Sequence, residues 1–264
     1  QHPFGAPATG FTHVPFGVTD ALERMFSEHP DRIAGFLIEP IQGEAGIRPA
    51  PPGYLQAARE LCDKHGALLI VDEVQTGLGR TGRLFAVEHD GVTPDIMPLA
   101  KALGGGLVPI GAMLYNAAAA SEDFAFRHTS TFGGNAFCAR VGLRSLDLLL
   151  ADDQALIRSV AARGDQLATG LRRLADRHPQ VITDVRGRGL LLGLEISANP
   201  DDYPRQGLLR SLAAQVEVSR ADAKLAQAQL DRAKALVGRG FISAADIDQR
   251  TATHQGKHVQ TQHA

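Results

Sequence analysis

The run Ala67-Leu-Leu-Ile-Val-Asp-Glu73 decides how the rest of the chain is read. Its apolar residues follow one another without alternation, have the length of a strand, and are closed by two acids. A strand that is apolar on both faces belongs inside a parallel sheet covered by helices, because a strand with one wet face alternates. The flanking sequence agrees. Gly53–His65 sets Tyr54, Leu55, Ala58, Leu61 and Cys62 at helical spacing and stops at Gly66. Ile33–Ile38 upstream, with Ile96–Leu99 and Ile110–Leu114 downstream, are further short strand candidates. Asn135–Leu150 and Ala155–His178 read as two longer amphipathic helices, and Gly189–Ile196 as one more strand. The expected fold class is α/β, with a mostly parallel sheet sandwiched by helices.

Of the 264 residues, 44% are apolar, which suffices for one large α/β domain or a domain with an appendage. With 27 basic and 29 acidic residues the net charge is −2, so neither nucleic acid nor an anionic membrane is an expected partner. Cys62 and Cys138 lie in apolar segments and form neither a metal pattern nor a disulfide framework. That usage fits a reducing compartment, and a cytoplasmic location is expected. No apolar run approaches the ~20 residues that cross a bilayer. No signal peptide is visible. The chain opens on Gln1 in loop-like sequence, which reads as a fragment or a processed product.

The character changes after Asn199-Pro-Asp-Asp-Tyr-Pro204, a turn-rich joint. From Gln206 to Val237 alanine, leucine, glutamine and charge dominate. Val216, Ala223, Leu230 and Val237 recur at heptad spacing, and Val218, Ala221, Leu225 and Ala228 form a second stripe. This predicts an α-helical, coiled-coil-like segment within 205–264. Gly238-Arg-Gly240 ends it, and Ser243 with Asp246 resembles the cap of another helix. His254 and His258 stand in a polar tail and read as solvated, so no metal site is expected.

In an open α/β sheet, ligands bind beyond the carboxyl ends of the strands. Asp72 stands at such an end. It either starts a solvated loop with Glu73 or keeps a heteroaromatic nitrogen protonated. Lys101 follows Ile96–Leu99 by two residues and would emerge at the same edge. Its amine could form a Schiff base if its pKa fell well below the usual value of about 10.4. Otherwise it is a surface charge beside a loose turn, and both readings stay open on these grounds. Gly104-Gly-Gly106 would allow a close backbone approach. Thr129-Ser-Thr-Phe-Gly-Gly-Asn135 describes either a phosphate cradle before a helix or an ordinary N-cap turn. Gln75–Gly82 is glycine-rich but has the spacing of neither a Walker loop nor a dinucleotide fingerprint.

Four motifs taken together carry a resemblance. They are Ile38-Glu-Pro-Ile-Gln-Gly-Glu-Ala-Gly46, Leu68-Leu-Ile-Val-Asp-Glu-Val-Gln-Thr-Gly-Leu-Gly-Arg-Thr-Gly82, Pro94-Asp-Ile-Met-Pro-Leu-Ala-Lys-Ala-Leu-Gly-Gly-Gly106 and Ser130-Thr-Phe-Gly-Gly-Asn135. In this order and separation they resemble class III aminotransferases, pyridoxal-phosphate (PLP) enzymes of fold type I, over about residues 1–198. Gly10-Phe-Thr-His-Val-Pro-Phe-Gly17 is most similar to putrescine- and ornithine-type members. The resemblance implies that Lys101 is the Schiff-base residue and proton shuttle, and that Asp72 pairs with the pyridinium nitrogen. It implies Val74 against the ring face, Gln75 on the phenolic oxygen, and Thr131 on the phosphate of a cofactor held mainly by a second subunit, hence a homodimer. Glu44 resembles the gate glutamate that pairs with an arginine between half-reactions, with Glu39 as support behind it.

The resemblance also implies an incomplete enzyme: 1–184 as a partial PLP-binding large domain and 185–204 as the start of the small domain and the joint. The upstream phosphate loop and stacking aromatic, and the arginine for the substrate carboxylate, have no candidates here. The small domain begins in the family with a strand similar to Val185–Glu195, in which Arg186 and Arg188 read as structural. Residues 221–252 resemble instead the helical hairpin of periplasmic membrane-fusion adaptors, so that 205–264 reads as joined from elsewhere. The expected function is transfer of an amino group from a diamine or ω-amino acid to a 2-oxo acid. The alternatives are a non-catalytic fragment with an adaptor-like helix, or a racemase or aminomutase on the same fold.

Overall fold

The computed structural model describes residues 9–128 and 130–197, with 224, 227, 228 and 231. The chain divides into two units, Gln1–Ile196 and Ser197–Ala264. In the second, residues 224, 227, 228 and 231 are helical, and Gln227 Nε2 donates to Asp231 Oδ1 at 2.7 Å. The rest of the heptad stripe, the adaptor-like turn and the histidine pair lie outside the described residues.

In the first unit, α1 (Thr19–Glu28) leads to β1 (Gly35–Ile38), and a small ribbon of β2 (Ile41–Gln42) and β3 (Arg48–Pro49) precedes α2 (Tyr54–His65). Then come β4 (Leu68–Val71), β5 (Ile96–Leu99), β6 (Ala112–Tyr115), α3 (Glu122–Arg127), α4 (Ala136–Arg177), β7 (Ile182–Arg188) and β8 (Leu191–Ile196). The α4 span is broken at Ala151–Gln154, where the backbone leaves the helical region, so the two helices read from sequence are both present. Asp152, Asp153 and Gln154 are polar and end the apolar periodicity there.

The main sheet has the order β1-β4-β5-β6. β1, β4 and β5 run parallel, with Phe36 opposite Leu69 and Ile70 opposite Ile96. β6 runs antiparallel to β5, with Ile96 opposite Tyr115 and Leu99 opposite Ala112. The sheet is therefore mostly parallel, with an antiparallel edge. One face holds Ile38, Leu69, Val71, Met97 and Leu99, all buried with Leu55, Ala58 and Cys62 of α2 and Leu22 and Phe26 of α1. Each such fully buried Leu or Val contributes about 1.5–3 kcal/mol of transfer free energy.

Among the described residues the opposite face is only partly covered. Leu37, Met113 and Tyr115 on the opposite face are exposed, and Ile70 and Ile96 are only half-buried. The burial of β4 alternates accordingly, although its sequence does not. A run of apolar residues permits two covered faces, but only the packing partners supply them.

The implied strand over Val185–Glu195 is corrected. β7 and β8 form an antiparallel hairpin that reverses between Gly189 and Leu190. The hairpin packs against α4 and β3. Gly189 (φ +56) comes so close to Thr81 that a Cβ would lie 2.4 Å from its carbonyl carbon. Gly164 of α4 meets the same glycine, and Gly82 meets Ala161. The glycine-rich stretch is thus a packing device, binding the loop after β4 to α4 and the hairpin.

Candidate active site

The parallel strands β1, β4 and β5 all end at one edge of the sheet, and the residue after each end leads into a site segment. Asp72 follows β4 and is pinned on one side, its N–H donating to Ile38 O at 2.8 Å. The next residue is pinned on the other, Glu73 N–H donating to Pro98 O at 3.2 Å. These bonds fix the peptide on which the Asp72 side chain stands. Its Oδ1 accepts the Val74 N–H at 2.9 Å, and Oδ2 takes no hydrogen bond from any described residue.

Glu73 was legible only as the second acid of a solvated loop, and the structure overturns that reading. Its side chain is 1% exposed, accepting the Val87 N–H at 2.7 Å and the Thr76 hydroxyl. Burial pushes its carboxyl above the ordinary range, against the Thr76, Val87 and Ala86 hydrogen bonds that favour the ion. Glu73 fastens the Asp72–Thr76 loop to the 3-10 turn Ala86–Asp90. Thr76, three residues on, was the available sign of an internal partner.

Lys101 begins a 3-10 turn, Lys101–Gly104, directly after β5. It is exposed, with no ion pair to any described residue, and its backbone is left-handed (φ +47). A lysine gains nothing locally from that conformation, which costs about 1–2 kcal/mol without a glycine. Among the described residues nothing buries its side chain. Of the following glycines, Gly105 (φ +61) approaches Ser145 of α4, where a Cβ would stand 3.1 Å from Oγ.

Gly43–Ile47, between β2 and β3, displays Glu44, which is exposed. Glu39 Oε2 accepts the Gly43 N–H at 3.0 Å, at the start of the turn that carries Glu44. Gln75 lies directly on the same glycine: a Cβ at Gly43 would fall 1.7 Å from Gln75 Oε1. The edge therefore gathers Glu39, Glu44, Asp72, Val74, Gln75 and Lys101. Thr131 is exposed and shares no hydrogen bond with these residues among the described ones. Its segment is an N-cap turn: Gly133 N–H donates to Ser130 O at 3.1 Å, and Asn135 Oδ1 accepts the Cys138 N–H at 3.0 Å. Among the described residues no group of His, Cys, Asp or Glu could hold a metal, and no helix is long and apolar enough to cross a membrane.

A sequence profile of the class-III aminotransferases matches residues 15–225, continuing past the joint at 199–204. Among solved structures, ornithine aminotransferase of Toxoplasma gondii ME49 is 40% identical, with a TM-score of 0.68 over 75% of this chain and 47% of that one. Acetylornithine aminotransferase of Elizabethkingia anophelis is 40% identical, with a TM-score of 0.65 over 74% and 50%. A Bacillus anthracis aminotransferase is 32% identical, with a TM-score of 0.68 over 76% and 49%. The chain spans about half the length of these structures. Matched by the profile over most of its length, this chain belongs to the class-III aminotransferases.

Proposed function

We propose that this chain carries the amine-and-carboxylate half of a PLP-dependent transaminase site, one that moves an amino group from a diamine or ω-amino acid to a 2-oxo acid. The observation that supports it is the placement of Asp72 and Lys101 at the ends of adjacent parallel strands, with Lys101 in a strained backbone. The residues present fit the cofactor. Asp72 has an oxygen free of described partners to accept the N–H of a heteroaromatic ring. Lys101 offers an amine at the same edge. A Toxoplasma gondii ornithine aminotransferase structure holds PLP in partial occupancy at its active site.

Asp72 would hold the ring nitrogen protonated, Val74 would pack on the ring face, and Gln75 would donate to the phenolic oxygen. Lys101 would hold the cofactor through its amine and would be the base placed to carry a proton at the substrate Cα. When bound, PLP supplies an electron sink for the charge developed at Cα. Glu44 is the gate for the substrate, supported by Glu39. Thr131 serves the phosphate of a neighbouring subunit in a homodimer. Leu107 (81% exposed), beside the glycines after Lys101, and Phe132 (80%), beside Thr131, are large apolar side chains that a second subunit would cover. The aminotransferase relatives favour transamination over a racemase or aminomutase, and the ornithine and acetylornithine enzymes favour an ω-amino donor.

The test is to add PLP to the purified chain, reduce with borohydride and locate the pyridoxyl group by peptide mass. The expected result is label on Lys101 that falls to background in Lys101→Ala and weakens in Asp72→Ala. Absence of label from Lys101 would refute the reading.

A further inference from the structure

We infer that Arg186 is the positioning residue for Glu44, holding the turn rigid so that the gate works by rotation of one side chain. The inference rests on the gate reading of Glu44. The turn backbone is left-handed at Gly46 (φ +98) and Ile47 (φ +54), and their N–H groups both donate to Gly43 O, at 3.0 and 3.2 Å. Their carbonyls consequently point away from the turn. Arg186, 140 residues further along at Gly46, donates from Nε to Gly46 O at 2.8 Å and to Ile47 O at 3.1 Å.

The guanidinium is itself aimed. Its Nη1 donates to Asp184 Oδ2 at 2.7 Å and Glu195 Oε2 at 2.5 Å, one carboxylate from each strand of the hairpin. The arginine side chain is 19% exposed. Gly193 of β8 seats the turn from beside it: a Cβ there would lie 3.1 Å from Ile47 Cβ and 3.2 Å from Gly46 O. Glu39 holds the other end through Gly43. The backbone around Glu44 is thus fixed at both ends, while the Glu44 carboxylate is exposed and bonds to no described residue. A lysine cannot replace Arg186, because one ammonium does not reproduce the planar fork that serves carbonyls and carboxylates together.

The experiment compares Arg186→Lys and Arg186→Gln in the full chain by backbone hydrogen–deuterium exchange. The expected result is exchange about tenfold faster at Gly46 and Ile47, with Leu69 and Val71 of β4 unchanged. Unchanged exchange at the turn overturns the inference. Acceleration spread equally to β4 also overturns it, because that marks a general loss of stability. A second readout reaches the gate: the ratio of diamine to 2-oxo acid half-reaction rates after PLP loading, in Glu44→Gln, Arg186→Lys and the double variant. Acting through Glu44, Arg186→Lys shifts this ratio about fivefold and adds nothing to Glu44→Gln. Effects that multiply assign Arg186 a purely structural role and overturn the inference. A ratio indifferent to Glu44→Gln refutes the gate reading, a failure told apart because exchange at the turn still responds to Arg186.

Discussion

Strand β5 starts beside Asp95 and ends just before Lys101, and the two charges are held in contrasting ways. Asp95 is buried, and its carboxylate accepts the Leu69 N–H at 2.8 Å, Arg59 Nη1 at 2.7 Å and Asn116 Nδ2 at 2.7 Å. Those donors come from β4, α2 and the residue after β6. Burial alone would raise its pKa, but the Leu69, Arg59 and Asn116 bonds outweigh that and hold it below the ordinary carboxylate value. Lys101 stands in solvent on left-handed backbone with no described ion pair. A fully satisfied charge ties neighbouring strands together, whereas a strained and unengaged one is available to a ligand.

The contrast can be broken most severely at the Asp95 end. Asp95→Ala leaves an amide and a backbone N–H without their acceptor, and the partly buried Arg59 guanidinium with Asp63 as its remaining carboxylate. It should cost about 3 kcal/mol in urea unfolding while PLP labelling at Lys101 survives under folding conditions. Collapse of both together would erase the division of tasks.

A pH series sharpens the comparison with the other buried acid. The Asp95 contribution is present above the ordinary aspartate pKa of about 3.9 and is lost as pH falls through the lower folded value. Glu73 has the opposite sign. Its folded pKa is raised, so stability falls as pH climbs from about 4.3 through that higher value. Asp95→Asn should therefore flatten the acid side of the stability profile. Glu73→Gln, which keeps an acceptor for the Val87 N–H, should remove the decline on the other side.

The smallest effect is expected at Lys101 itself. Lys101→Gly relieves the left-handed strain and should raise stability by about 1 kcal/mol while abolishing the label. A loss of stability there would give Lys101 a structural part after all.

Much of this was legible where the information is local. Ile96–Leu99 is read to the residue, and Tyr54–His65 starts and stops at its flanking glycines, Gly53 (φ +84) and Gly66 (φ +64). β6 is displaced from Ile110–Leu114 to Ala112–Tyr115, because its register comes from pairing with β5 and from Asn116 on Asp95. α1 went unread, since only Leu22 and Phe26 are buried and Val18 offers no side-chain cap. β7 was hidden by Asp184, Arg186 and Arg188 among its residues. Asp72 and Lys101 could be placed from strand ends alone. The burial of Glu73 and the reach of Arg186 depend on contacts 14 and 139 or more positions away, which no local pattern encodes.

The attachment of the β7–β8 hairpin has a consequence for how such chains can be recombined. Arg188 meets Asp90 at 3.4 Å, Leu190 N–H donates to Arg80 O at 3.0 Å, and Arg186 grips the Glu44 turn. A crossover placed before Ile182 would strip all of these from the first unit and leave its loops without their anchors. A crossover placed after Ile196 severs none of them. Ile196 is therefore the boundary up to which the first unit has to stay whole if its loops are to keep these anchors.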